Sequence, residues 1–204
     1  MSGVGQHPFD IFAHSAGQLW LRDRFVSGVS NARFLLYGPS HELNLTDGII
    51  RTHATTLLNR LSELPRPSNV KHISMTNQKP AADTSKQRKI VFIGHGTGCL
   101  IIQQVIMMLA GSSASIPLQD IAGMIFFEVP SSGFDESHLQ RMTYLYPEAA
   151  LSDLKVGSPL ISSLHVNFGR VVGSIPLITC ISSSGVTDRD QVSPVTHKID
   201  RSLN

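Results

Sequence analysis

Apolar residues along this chain fall into two kinds of block, separated by turns rich in glycine and proline. Unbroken apolar runs predict strands at Arg33–Tyr37 (RFLLY), Lys89–Ile93 (KIVFI), Ile121–Val129 (IAGMIFFEV) and Ile175–Ile181 (IPLITCI). Runs without alternation suit strands covered on both faces. Gly38-Pro39 closes the first, and Pro176 sits near the start of the last, where a missing N–H is tolerated. Other blocks repeat at helical spacing. After Asp47, a candidate N-cap, Ile50, Ala54, Leu57, Leu61 and Leu64 recur until Pro65 ends the pattern. Cys99 to Ala110 is apolar on most sides and predicts a helix lying against a sheet. Ser158 and Pro159 read as N-cap and first helical residue, with Leu160, Leu164 and Phe168 on one face behind them.

Apolar strands alternating with helices imply an α/β fold with a mostly parallel sheet and helices on both faces. Residues 66–87 are polar and aperiodic, and predict a long, mobile loop. No internal repeat or low-complexity segment marks a second domain, so residues 1–204 read as one domain.

Composition removes several function classes. Apolar residues are 41% and charged residues 16% of the chain, which fits a folded globular protein rather than a disordered one. A net charge of +2, with its basic residues concentrated only at Lys86, Arg88 and Lys89, offers no nucleic-acid surface. That cluster reads as a solvated loop edge. No run approaches the roughly 20 apolar residues of a membrane span. Residues Met1 to Trp20 lack the basic and apolar regions of a signal peptide, so an intracellular, cytoplasmic address is expected. Cys99 and Cys180 read as buried small hydrophobes rather than a disulfide. The histidines lack ligand-like spacing, so neither a metal nor any other cofactor is expected.

Chemistry concentrates in Ile90 to Leu100, IVFIGHGTGCL. A nucleophile elbow has the form G-x-S-x-G between a strand and a helix. Its glycines permit a tight turn that lifts the central side chain beside the positive end of the helix. Here Gly94 and Gly98 flank His95, Gly96 and Thr97, and Gly96 occupies the nucleophile position. Without an Oγ no acyl-enzyme forms there. Thr97 would direct its N–H at an oxyanion while its side chain points elsewhere, and Cys99 would face the core.

The stretch GHGTGCLIIQQVI resembles the GHSLGGLVIKQAL-type elbow of lipase-like α/β hydrolases. That family includes the N-terminal esterase-like domains of fungal NOD-like receptors and a mitochondrial serine-active-site protein. Other segments resemble the family in the same order. Ser2 to Phe9 (SGVGQHPF) is similar to its HGLGGHPF oxyanion loop, and Trp20 to Asp23 to its WLRD. Asn31 to Gly38 (NARFLLYG) is similar to NARILTYG, and Ile125 to Asp135 (IFFEVPSSGFD) to IFFGTPHRGSD. The resemblance covers about two-thirds of the chain and implies an α/β-hydrolase fold. It implies an oxyanion loop at Gly3 and Val4, a late histidine at His197, and Asp188 or Asp190 as its acid. It also leaves a mitochondrial or membrane-associated address open. The departures fall on chemistry: Ser2, Gly96 and Ser131-Ser132 stand where the family has histidine, serine and His-Arg.

In that fold the strand leading into the oxyanion loop lies between those matching RFLLY and KIVFI. The chain starts essentially at the loop, so the two strands pair directly, another segment fills the gap, or the chain is an incomplete version of a longer ancestor. The expectation is a truncated α/β-hydrolase fold with four or five strands. Function then reads as a degenerate serine esterase, weak or inactive, binding a small ester, a lipid-like ligand or a protein. One alternative is an active esterase with a displaced nucleophile, or with water activated by His197. The other is a dinucleotide-binding module, since Gly94-x-Gly96, a helix and a strand ending in Glu128 imitate a βαβ unit. Cys99 stands at the third glycine of that fingerprint.

Overall fold

The computed structural model describes residues 1, 32–38, 45, 48–64, 89–111, 116–173 and 175–181. They form a mixed α/β structure around an open, parallel sheet of three strands in the order β1-β2-β3. In chain order the elements are α1 (Ile49–Ser62), β1 (Ile90–His95), α2 (Thr97–Gly111), β2 (Ile121–Phe127), α3 (Glu136–Met142), α4 (Glu148–Leu151), α5 (Pro159–Val172) and β3 (Leu177–Cys180). The register pairs Phe92 with Met124 and Gly94 with Phe126. Met124 in turn pairs with Leu177.

The sheet advances in one direction, from β1 through β2 to β3. Two right-handed crossovers made in the same direction put their helices on the same face. Accordingly α2 and α5 pack together on the face carrying Gly94 and Phe126, and α1 lies against α2. Phe126 meets Phe168 of α5 with ring centroids 6.1 Å apart. Enclosed between the sheet, α1 and α5, helix α2 buries Cys99, Leu100, Ile101, Ile102, Val105 and Ile106 completely. This is why its sequence is apolar nearly all round. Helix α5 begins as expected: the Ser158 hydroxyl accepts from the Ile161 N–H and Pro159 opens the helix. Its buried face is Ile161, Leu164, Phe168 and Val172, while Leu160 is only partly buried.

Two expectations change, and two others are met only in part among the described residues. Those residues supply three strands of a sheet expected to have four or five. Arg33–Tyr37 is not one of them. Its Leu35 is 56% exposed, no strand is assigned to it, and the Tyr37 hydroxyl at its end donates to the His53 carbonyl of α1. Helices on both faces are not seen among the described residues. Those contacting the sheet lie on one face, and Val91 and Ile178 on the other are exposed. Finally, Cys180 is only half-buried, because β3 is a sheet edge. The expected loop at 66–87 and the Asp47 cap lie outside the described residues; Gly48 takes the cap position of α1.

On the opposite edge of the sheet, Met1 lies against β1. Its amino group donates to the Ile93 carbonyl, and its own carbonyl accepts the His95 N–H at 3.1 Å. That is a parallel pairing opposite Gly94. Among the described residues, Met1 is the one that pairs with β1 on this edge.

Candidate functional site

The carboxyl ends of β1 and β2 meet at Gly96, the single residue between β1 and α2. Its N–H donates to the Phe127 carbonyl at 3.0 Å and its carbonyl accepts the Cys99 N–H at 3.0 Å. Both sides of the turn are thus fixed by backbone. Gly96 has φ +56°, the left-handed region that costs most L-residues about 1–2 kcal/mol. Among the described residues, a Cβ added there would meet no atom within 4 Å. The turn is tight, and none of those residues fills the place where a side chain would stand.

The flanking glycine has a different purpose. A Cβ on Gly94 would come within 2.8 Å of Ile102 Cδ1 and 3.2 Å of the Cys99 backbone. Its absence lets α2 sit close on β1. Gly98 and Thr97 are buried in the first turn of α2. Cys99 faces the core as expected. Its thiol donates to the Phe127 carbonyl at 3.5 Å, and burial pushes its pKa up to about 12, against a smaller opposing effect of that hydrogen bond. Such a thiol stays protonated and is a poor nucleophile.

One pair at this edge was not anticipated. His95 Nε2 lies 3.2 Å from Glu128 Oε2, joining the ends of β1 and β2 across the mouth of the turn. Glu128 is the one described non-glycine residue with positive φ, +52°, and its N–H donates to the Cys180 carbonyl at 3.1 Å. A left-handed position of this kind suits glycine. Glu128 itself was the available signal in the sequence, where it was read only as the end of a βαβ-like unit. If the Glu128 carboxylate accepts from Nε2–H, Nδ1 is the imidazole's acceptor nitrogen. That Nδ1 is buried and has no hydrogen-bond partner among the described residues.

Gly94 to Gly98 run consecutively from the end of β1 through the turn at Gly96 into the first turn of α2. Gly3, Val4, Asp188, Asp190 and His197 lie outside the described residues. Ser131 and Ser132, at the departure from His-Arg, follow β2 in an exposed turn. There His165 of α5 hydrogen-bonds to the Ser131 backbone, although burial is the larger influence and lowers its pKa. Among the described residues no group of three or more His, Cys, Asp or Glu is placed to hold a metal ion. A shallow cleft of about 350 Å³ lies elsewhere, between Glu136, Leu139, Thr143 and Lys155. It shares no residue with the turn. No described helix is long and apolar enough to cross a membrane.

No protein-family model matches the chain. Neither the curated proteins nor the solved structures include a match.

Proposed function

We propose that this chain is a degenerate relative of the serine esterases that keeps the elbow as a ligand-binding turn without its nucleophile. The carrying observation is Gly96: left-handed at φ +56°, clamped by hydrogen bonds to Phe127 and Cys99, and open where a side chain would stand. Open parallel sheets bind ligands at the carboxyl ends of their strands, which is where this turn lies. Its α2 neighbour begins there with the partial positive charge of a helix N-terminus, suited to a carbonyl or carboxylate. The ligand class is a small ester, an acyl group or a lipid-like carboxylate.

An inactive centre follows from the groups at hand. Gly96 has no nucleophilic atom and Cys99 holds its proton. In serine proteases stripped of triad members, oxyanion donors and binding alone leave about 10³–10⁴-fold acceleration over water. The test is reversion by Gly96→Ser, assayed beside wild type on short p-nitrophenyl esters. The reading expects a silent wild type and a variant that turns over. Ester hydrolysis by wild type at the variant's rate would defeat it. Two silent proteins would remove the ligand pocket and leave a scaffold role.

A further inference from the structure

We propose that Glu128 is a positioning residue for the turn at Gly96, tying the ends of all three strands to the one carbonyl from which that turn hangs. Its part in ligand binding rests on the reading of the turn given above, whereas the coupling rests on hydrogen-bond geometry alone.

The carbonyl is that of Phe127, the last residue of β2. It accepts the Gly96 N–H at 3.0 Å and the Cys99 thiol at 3.5 Å, so it holds both the turn and the start of α2. In a trans peptide a carbonyl and the N–H that follows it share one plane and point opposite ways. The N–H that follows is that of Glu128, and it donates to the Cys180 carbonyl at the end of β3 at 3.1 Å. The Phe127–Glu128 peptide is therefore gripped from both sides.

Glu128 closes the arrangement with its side chain. His95 directly precedes Gly96, and its Nε2 lies 3.2 Å from Glu128 Oε2. Two consecutive residues at one strand end thus meet two consecutive residues at the other, once through backbone and once through side chains. The bonds form a closed ring.

The orientation of the gripped peptide depends on the Glu128 φ, which is +52°. Glycine would adopt that φ without strain, and an L-residue keeps it only where its surroundings over-determine it. A strained glutamate at this place therefore points to its side chain. Released from His95, Glu128 would relax toward negative φ and turn the peptide plane that holds Gly96. The pair acts on the position of the turn more than on the stability of the fold.

The test is native-state amide exchange by NMR on the full chain, without ligand, so its failure and that of the ligand-binding reading are separate results. Wild type is compared with Glu128→Gly, Glu128→Gln and His95→Ala. Glu128→Gly and His95→Ala should each speed exchange at the Gly96 amide by about tenfold or more, while the Met124 and Ile102 amides keep their wild-type rates. Glu128→Gln keeps an oxygen that can accept from Nε2–H, so it should hold Gly96 close to its wild-type rate. A role in stability alone would move Met124 and Ile102 together with Gly96. Such uniform acceleration in both Glu128→Gly and His95→Ala overturns the proposal. An unchanged Gly96 rate in both also overturns it, as does a Glu128→Gln variant that exchanges as fast as Glu128→Gly.

Discussion

His95 Nε2 and Glu128 Oε2 lie 3.2 Å apart, linking the last residue of β1 to the residue just beyond β2. Glu128 holds a left-handed backbone to make this contact, and outliers of that kind cost of order 1–3 kcal/mol and cluster at functional sites. A partly exposed side-chain hydrogen bond of this kind is worth about 1 kcal/mol, so it does not fully repay the strain by itself. Glu128→Gly should therefore leave stability equal to or above wild type, by up to about 1 kcal/mol in urea unfolding. A loss of more than that would show that the pair, rather than the backbone, governs this corner.

The two elbow glycines should respond differently to alanine. At Gly94 a Cβ would press on Ile102 and the Cys99 backbone, so Gly94→Ala should cost about 1–3 kcal/mol through overpacking. At Gly96 there is space, and the cost is the left-handed backbone alone, about 1–2 kcal/mol. Unfolding midpoints in urea, compared at equal slope, check the order. Gly96→Ala falling well below Gly94→Ala would contradict the geometry.

Cysteine labelling should separate the core from the edge. Cys99 is fully buried with its pKa pushed up to about 12, whereas Cys180 is half-buried on an edge strand. Iodoacetamide at about pH 8 should modify Cys180 in the native protein and Cys99 only after unfolding. Peptide mass spectrometry reads the sites. Labelling of native Cys99 ahead of Cys180 would refute the placement of α2.

Acid sensitivity should have a component at Asp135. This N-cap of α3 accepts from the Ser137 hydroxyl and the His138 N–H, which hold its pKa down at about 2, below an unfolded value of about 3.9. Between those values the unfolded chain binds more protons, so the contribution is full above about pH 4 and is lost as pH falls toward about 2. The stability gap between wild type and Asp135→Ala should narrow over that interval. A gap that stays constant with pH would exclude the carboxylate as the cap.

Much of this frame was legible because its signals are local. Lys89–Ile93 followed by a glycine turn and an apolar helix needs no knowledge of the rest of the chain, and β1, Gly96 and α2 form as expected. Ser158-Pro159 is likewise a local signal, satisfied by the Ile161 N–H. Arg33–Tyr37 was misread because a short apolar run becomes a strand only when a partner edge accepts it, and Tyr37 bonds to α1 instead. The described helices lie on one face because helix side follows from the direction in which strands are added, and here both crossovers run the same way. The His95–Glu128 pair was missed because residues 33 apart meet only once the β1–β2 register is known.

The core itself offers a calibration. Phe168 is 5% exposed and packs on Phe126. Phe168→Ala should cost about 3–5 kcal/mol, among the largest losses of any single truncation. A loss below about 1 kcal/mol would mean that α5 does not pack on this sheet.

The central claim is that the elbow survives without its nucleophile, and covalent labelling addresses it most directly. Wild type and Gly96→Ser are each treated with a fluorophosphonate probe and read by intact mass. The account predicts an unmodified wild type and one adduct on the variant, at the introduced side chain. A stoichiometric adduct on wild type would contradict it, because a nucleophile would then exist that Gly96 cannot supply.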